Sequence, residues 1–160
     1  MTRYLDYTGT TRAVEAVTVR ARVKGFLESM HYEPGSSVEA GDLLFTIDPE
    51  PFEVALAAAK AELTSHQAEL SLAQTEFERT ETIFKQKATS EIAFVKARAK
   101  RDKAVAAVTA SEASLRSAEL DYDYAHLTAP IRGRAGRNLV DIGNLVGAGE
   151  ATILTEVIRY

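Results

Sequence analysis

Residues Phe52 to Phe84 read FEVALAAAKAELTSHQAELSLAQTEFERTETIF, and the spacing of their apolar side chains decides the fold of the middle of this chain. Leu56, Leu63, Leu70, Phe77 and Phe84 recur every seven residues, and Phe52, Ala59, His66, Ala73 and Thr80 form a second series on the same face. Two interleaved series of this kind make the a/d seam of a coiled coil. The stretch is rich in Ala, Glu, Lys, Gln and Leu, the side chains that lose least on entering a helix. Gly and Pro, the strongest breakers of regular structure, are absent from Phe52 through Ala129.

The seam does not continue in phase. Carried past Phe84, the first series would place Glu91, Arg98, Val105, Glu112 and Glu119 in the apolar face, and four of these five are charged. A new register begins instead, with Val108, Leu115 and Tyr122 as large residues and Ala97, Ala104, Ser111, Ala118 and Ala125 as small ones beside them. Thr89 and Ser90 lie in the gap and can cap a helix start, with Glu91 favourable in the first turn. The pattern predicts an antiparallel hairpin with helices near 51–86 and 90–125, each arm on the order of 50 Å long. Leu63 and Leu115 are expected to be buried across the seam. His66 is expected there as a packed polar residue. Arg101 falls at a large-residue position, where it should snorkel or pair with a carboxylate.

Outward from the hairpin, the punctuation returns. All nine glycines and all four prolines lie in residues 1–51 or 130–160. These flanks resemble each other at an offset of 108 residues: Gly25 meets Gly133, Gly35 meets Gly143, Val38 meets Val146, Ala40 meets Ala148, Gly41 meets Gly149, and Asp42 sits over Glu150. The shared G-x2-V-x-A-G pattern places tight turns between short strands. Each matched glycine marks a backbone that needs positive φ or a close approach. The simplest architecture is α+β: two similar halves, 21–48 and 129–156, close into one small sandwich or flattened barrel interrupted by the hairpin. Two independent β-hairpins with coincidental glycine spacing are the plainer alternative.

Val23-Lys24-Gly25, followed by Glu33-Pro34-Gly35-x2-Val38-x-Ala40-Gly41-Asp42-x-Leu44, resembles half of a biotinyl/lipoyl domain. Leu127-Thr128-Ala129-Pro130-Ile131-x-Gly133-x2-Gly136 resembles the return segment of the periplasmic adaptors, or membrane fusion proteins, of tripartite efflux pumps, as does Tyr124-x2-Leu127-x-Ala129-Pro130 at the end of the second helix. The likeness covers essentially the whole chain. It implies a split lipoyl-like sandwich at 13–49 and 127–160, a hairpin at 50–126, and a strand at 1–12 entering from a β-barrel domain, the chain being part of a longer adaptor. Adaptors of the resistance-nodulation-division type carry an Arg, a Leu four residues later and a Ser seven after that; Arg79, Ile83 and Ser90 meet this spacing, with Ile in place of Leu. The resemblance makes these three the contact with an outer-membrane channel. Without it, Arg79 is an ordinary solvated helix residue and Ser90 a cap. It further implies an inner-membrane transporter as partner, self-association into a ring such as a hexamer, and a periplasmic location with an inner-membrane anchor outside this sequence. An adaptor for an ABC-type exporter or a heavy-metal pump is the neighbouring alternative.

Other chemistry finds little footing. A lipoyl or biotin carrier needs an exposed Lys at a hairpin tip, yet the acceptor position falls near Pro51 in Asp48-Pro49-Glu50-Pro51, a segment suited to opening a helix. The chain has no cysteine, which excludes disulfides and thiolate metal sites. His31, His66 and His126 are scattered, and Met30-His31 alone is a weak soft-metal signal better read as a turn. Gly133-x2-Gly136 lacks the Lys-Ser/Thr of a phosphate-binding loop. A net charge of -4 gives no basic footprint for nucleic acid. No apolar run approaches the roughly 20 residues that cross a bilayer, and no signal-peptide pattern precedes Arg3. No catalytic set, cofactor site or metal site is expected, and the chain reads as a non-enzymatic scaffold.

Overall fold

The computed structural model describes residues 14–149 and 152–159. The expected strand at 1–12 and the Glu150 match to Asp42 lie outside these residues. The chain divides into two compact units, one from its two flanks (14–48 and 124–159 among the described residues) and one from Pro49–Asp123.

The flanks make eight strands: β1 (Glu15–Arg20), β2 (Gly25–Met30), β3 (Ser37–Val38), β4 (Leu43–Ile47), β5 (His126–Thr128), β6 (Gly133–Ala135), β7 (Leu145–Val146) and β8 (Ile153–Arg159). They form two four-stranded sheets, ordered β1-β8-β6-β3 and β5-β4-β2-β7. Neither sheet belongs to one half of the repeat, because both are built by exchange. Gly25 lies opposite Val146 and Phe26 opposite Leu145, while Val38 lies opposite Gly133 and Ser37 opposite Arg134. Exchanging the halves through the 108-residue offset, Gly25 for Gly133 and Val146 for Val38, turns the first set into the second.

The turns repeat the same bonds. Gly143 N–H donates to Leu27 O and Gly35 N–H to Ala135 O, both at 2.8 Å; Leu27 N–H donates to Asn144 O and Ala135 N–H to Ser36 O. Gly35 and Gly143 take φ of +87° and +90°, in the left-handed region that only Gly enters without strain. Gly133 serves differently, since a Cβ there would stand 2.5 Å from Ile158 O, so the β6–β8 approach requires a bare backbone. The resemblance of the halves is thus a pseudo-two-fold in which each half completes the other's sheet.

The core lies between the sheets. Leu44, Phe45, Ile47, Leu154 and Val157 are fully enclosed, with Leu27 beside them. Tyr32 packs edge-on against Phe45, ring centroids 5.3 Å apart. Its hydroxyl is buried and makes no hydrogen bond of good geometry; burial raises its pKa above the usual 10.0, and the nearby Thr155 hydroxyl partly offsets the rise. His31 closes the end of β2 as a polar clamp, its Nε2 2.9 Å from both Ser29 Oγ and Thr46 Oγ1. Thr46 also pairs with His126 across β4 and β5, so the points where the chain leaves and re-enters the sandwich are neighbours.

The other unit is an antiparallel helix pair, α1 (Glu50–Lys85) and α2 (Glu91–Ala125), each end within a residue of the expected bounds. Pro51 stands in the first turn of α1, where its missing N–H leaves no hydrogen bond unmade. Burial follows the heptads: Ala59, Ala73 and Phe77 on α1 and Ala104 and Ser111 on α2 are buried. Leu63 and Leu115, expected to be buried, are only half-buried. Two helices enclose one narrow line between them, so small residues vanish into it while the leucines keep a wet flank; Phe77 is covered because Phe94 and Arg101 lie against its ring. His66 is half-buried at its seam position, with Glu69 Oε2 at 3.4 Å and Glu62 Oε1 at 3.8 Å on either side.

Candidate functional site at the hairpin turn

The turn is built by two different caps. At the end of α1, Lys87 N–H donates to Phe84 O at 2.9 Å and Ala88 N–H to Ile83 O at 3.0 Å. These are the paired bonds of a Schellman motif, which satisfies helix carbonyls by placing one residue in the left-handed conformation. That residue is Lys87, at φ +56°, the one non-glycine with positive φ among the described residues. Three residues on, Ser90 caps the start of α2, its Oγ accepting from Ala93 N–H at 3.2 Å. Glu91 adds a carboxylate to the first turn, where the partial positive charge of the helix end favours it.

Beneath the turn the arms are locked by aromatic rings. Phe84 stacks on Phe94 with centroids 4.8 Å apart, and Phe77 tilts against Phe94 at 5.7 Å. Arg101, the blemish in the predicted seam, lays its guanidinium over the Phe77 ring at 4.4 Å while its Nε donates to Asp102 Oδ1 at 3.0 Å. Its position therefore holds a cation–π contact worth about 0.5–2 kcal/mol. Lys100 joins Glu76 across the arms at 2.6 Å, an exposed pair worth at most about 1 kcal/mol.

Of the residues singled out by spacing, Arg79 is exposed, Ile83 half-buried and Ser90 exposed. Arg79 lies two residues past Phe77, roughly 200° around the helix from the seam. Ile83 stands one turn further on, and its carbonyl holds the turn. Ser90 follows two residues after Ala88, the residue bonded to that carbonyl. Arg79 has no carboxylate within ion-pairing reach among the described residues, whereas Lys85 beside the turn pairs with Glu81 at 3.2 Å. The arrangement displays a cation with free donors and an apolar shoulder on a rigid support. It holds no group of three or more metal-ligating side chains among the described residues.

Sequence reasoning passed over three features here. Lys87 could not be read as left-handed, because Gly and not Lys signals that conformation. Ile92 and Val95 are 68% and 55% exposed on α2; the signal was available, since neither falls in the register of Phe94, Ala97 and Arg101. The Phe77–Arg101 contact joins positions that no local pattern links.

Residues 15–157 match the family model described as the barrel-sandwich hybrid domain of RND membrane fusion proteins. The chain is 41% identical over 150 residues to multidrug resistance protein MdtA of Klebsiella pneumoniae subsp. pneumoniae, covering 94% of this chain and 36% of that protein. It is 39% identical, with the same coverage, to MdtA of Escherichia coli O7:K1. The chain thus spans about a third of the length of these relatives. Among solved structures it is similar to a MacA-MexA chimeric protein containing the Pseudomonas aeruginosa MexA α-hairpin domain, with a TM-score of 0.59 and 26% identity over 92% of this chain and 49% of the other. ZneB from Cupriavidus metallidurans shares the fold, with a TM-score of 0.64 at 23% identity over 90% of this chain and 60% of the other.

Proposed function

Because this chain belongs to the RND membrane fusion protein family, we propose that it serves as the sandwich-and-hairpin portion of a periplasmic adaptor, linking an inner-membrane transporter to an outer-membrane channel in multidrug export. The observation that carries this reading is the family match across residues 15–157, which takes in both sandwich halves and the hairpin between them. The relatives named as multidrug resistance proteins support drugs as the cargo. An adaptor needs no catalytic set; it needs a stiff arm, a surface for each partner, and copies of itself. The hairpin supplies the arm, and we assign the channel contact to Arg79, Ile83 and Ser90. A guanidinium with free donors suits carboxylates or helix-end carbonyls, Ile83 offers an apolar contact, and Ser90 fixes the start of the returning helix. Assembly into a ring, such as a hexamer, and anchoring at the inner membrane belong to the same reading. The ABC-exporter, heavy-metal and carrier alternatives are not favoured by the relatives.

The test replaces the chromosomal codon for Arg79 by Asp and measures retention of a panel of cationic dyes and detergents. Lys60→Asp, an exposed charge reversal far from the turn, is the control. Export should be lost in Arg79→Asp and kept in Lys60→Asp, with abundance and helix content unchanged in both. Equal export by Arg79→Asp and wild type would remove the docking assignment. Deletion of the gene without effect on any compound would remove the adaptor reading.

A further inference from the structure

Lys87 occupies the position at which a helix end most favours glycine. A side-chain-bearing residue held left-handed carries a strain that glycine does not, and residues kept in such conformations concentrate at functional sites. The two backbone bonds from Lys87 N–H and Ala88 N–H accompany this left-handed conformation and tie it to the helix end. Lys87 is exposed and has no ion-pair partner among the described residues. The same holds for Arg79, while the neighbouring Lys85, Lys100 and Arg101 each have a carboxylate. Near the turn, then, Lys85 and Arg101 pair within their own helices and Lys100 pairs across the arms, while Arg79, Lys87 and, further along α2, Lys96 are exposed with no carboxylate partner among the described residues.

We infer that Lys87 is a second docking cation, held outward by its strained backbone and directed with Arg79 at an anionic protein surface on the partner that receives the hairpin turn. This rests on the docking role proposed above for Arg79. It adds that the partner presents carboxylates to the turn itself as well as to the last turns of α1. A neutral, glycine-tolerant turn would be easier to fold and poorer at binding.

That opposition supplies the experiment. Lys87→Gly relieves the strain, and this chain should melt about 2–4 °C higher. In cells whose chromosomal gene carries Lys87→Gly or Lys87→Asn, docking should weaken roughly tenfold, the loss of one charge-assisted contact, and dye should be retained accordingly. Lys87→Arg should export as wild type does. Arg79→Asp runs beside them. If Arg79→Asp fails to export while Lys87→Gly exports normally, Lys87 is only a tolerated turn residue and this inference falls alone. If Arg79→Asp exports normally, the docking role falls and takes Lys87 with it. A Lys87→Arg variant that fails like Lys87→Gly would also overturn the inference, since charge would not be what the partner reads.

Discussion

The sandwich and the hairpin solve the same problem of burial in opposite ways. In the sandwich, two sheets cover each other, and Leu44, Phe45, Ile47, Leu154 and Val157 lose all contact with solvent. In the hairpin, each helix has one neighbour, and Leu56, Leu63, Leu70 and Leu115 stay half-wet at the positions their heptads assign. The difference teaches that a perfect apolar period is not a measure of stability. What counts is how many sides of a side chain another element covers, since the hydrophobic gain scales with area removed from water. The hairpin makes up part of the deficit locally, through the Phe77, Phe84 and Phe94 rings and the Arg101 guanidinium near its turn.

Truncation in the sandwich should test this contrast most severely. Phe45→Ala removes a fully enclosed ring that also supports Tyr32, and should cost about 3–5 kcal/mol. A urea titration followed by hydrogen exchange of the β4 amides would register the loss there. Leu63→Ala, in the hairpin, should cost only about 1–2 kcal/mol because half of its surface is already solvated. Helix ellipticity at 222 nm against urea would measure it. Equal costs at the two sites would break the comparison and show that the hairpin seam is enclosed by something more than its own two helices.

The smallest effect concerns Tyr32, the one buried side chain whose polar atom lacks a hydrogen bond among the described residues. At neutral pH, Tyr32→Phe should change stability by no more than about 0.5 kcal/mol, or raise it slightly, because no bond is lost and a desolvated hydroxyl is removed. The wild type should become less stable as the pH rises. Its folded-state pKa lies above the unfolded value of 10.0, so the unfolded chain releases its proton first. The contribution is complete below pH 10 and is lost as the pH climbs through the folded value. Melting wild type and Tyr32→Phe in parallel from pH 9 to 11 should show the wild type falling faster. Parallel curves would mean that the hydroxyl is as well solvated in the fold as out of it.

Much of this was legible in one dimension. The heptads placed the seam residues, the phase break placed the turn between Phe84 and Phe94, and Ser90 stood where a capping side chain was wanted. These features are local: a helix reads its own sequence over three or four residues, and a cap is a bond between near neighbours. The matched glycines were legible too, because positive φ at Gly35 and Gly143 and the bare approach at Gly133 are demands on single residues.

The candidate site was legible only in part. Arg79 and Ile83 could be set on adjoining turns by counting, but the conformation of Lys87 went against its residue type, and the Arg101–Phe77 contact crosses the turn.

The chain's own order of residues thus determined that there would be two long helices, where they would break, and that the flanks would be alike. Only the tertiary structure decided that each half would lend strands to the other's sheet, with Gly25 facing Val146 and Gly133 facing Val38. It also decided that long seam residues would remain half-exposed, and that Lys87 would be held against its preference at the turn. Partners across a sheet or a seam are chosen by which surfaces can cover one another, and that is a property of the whole packed chain rather than of any stretch within it.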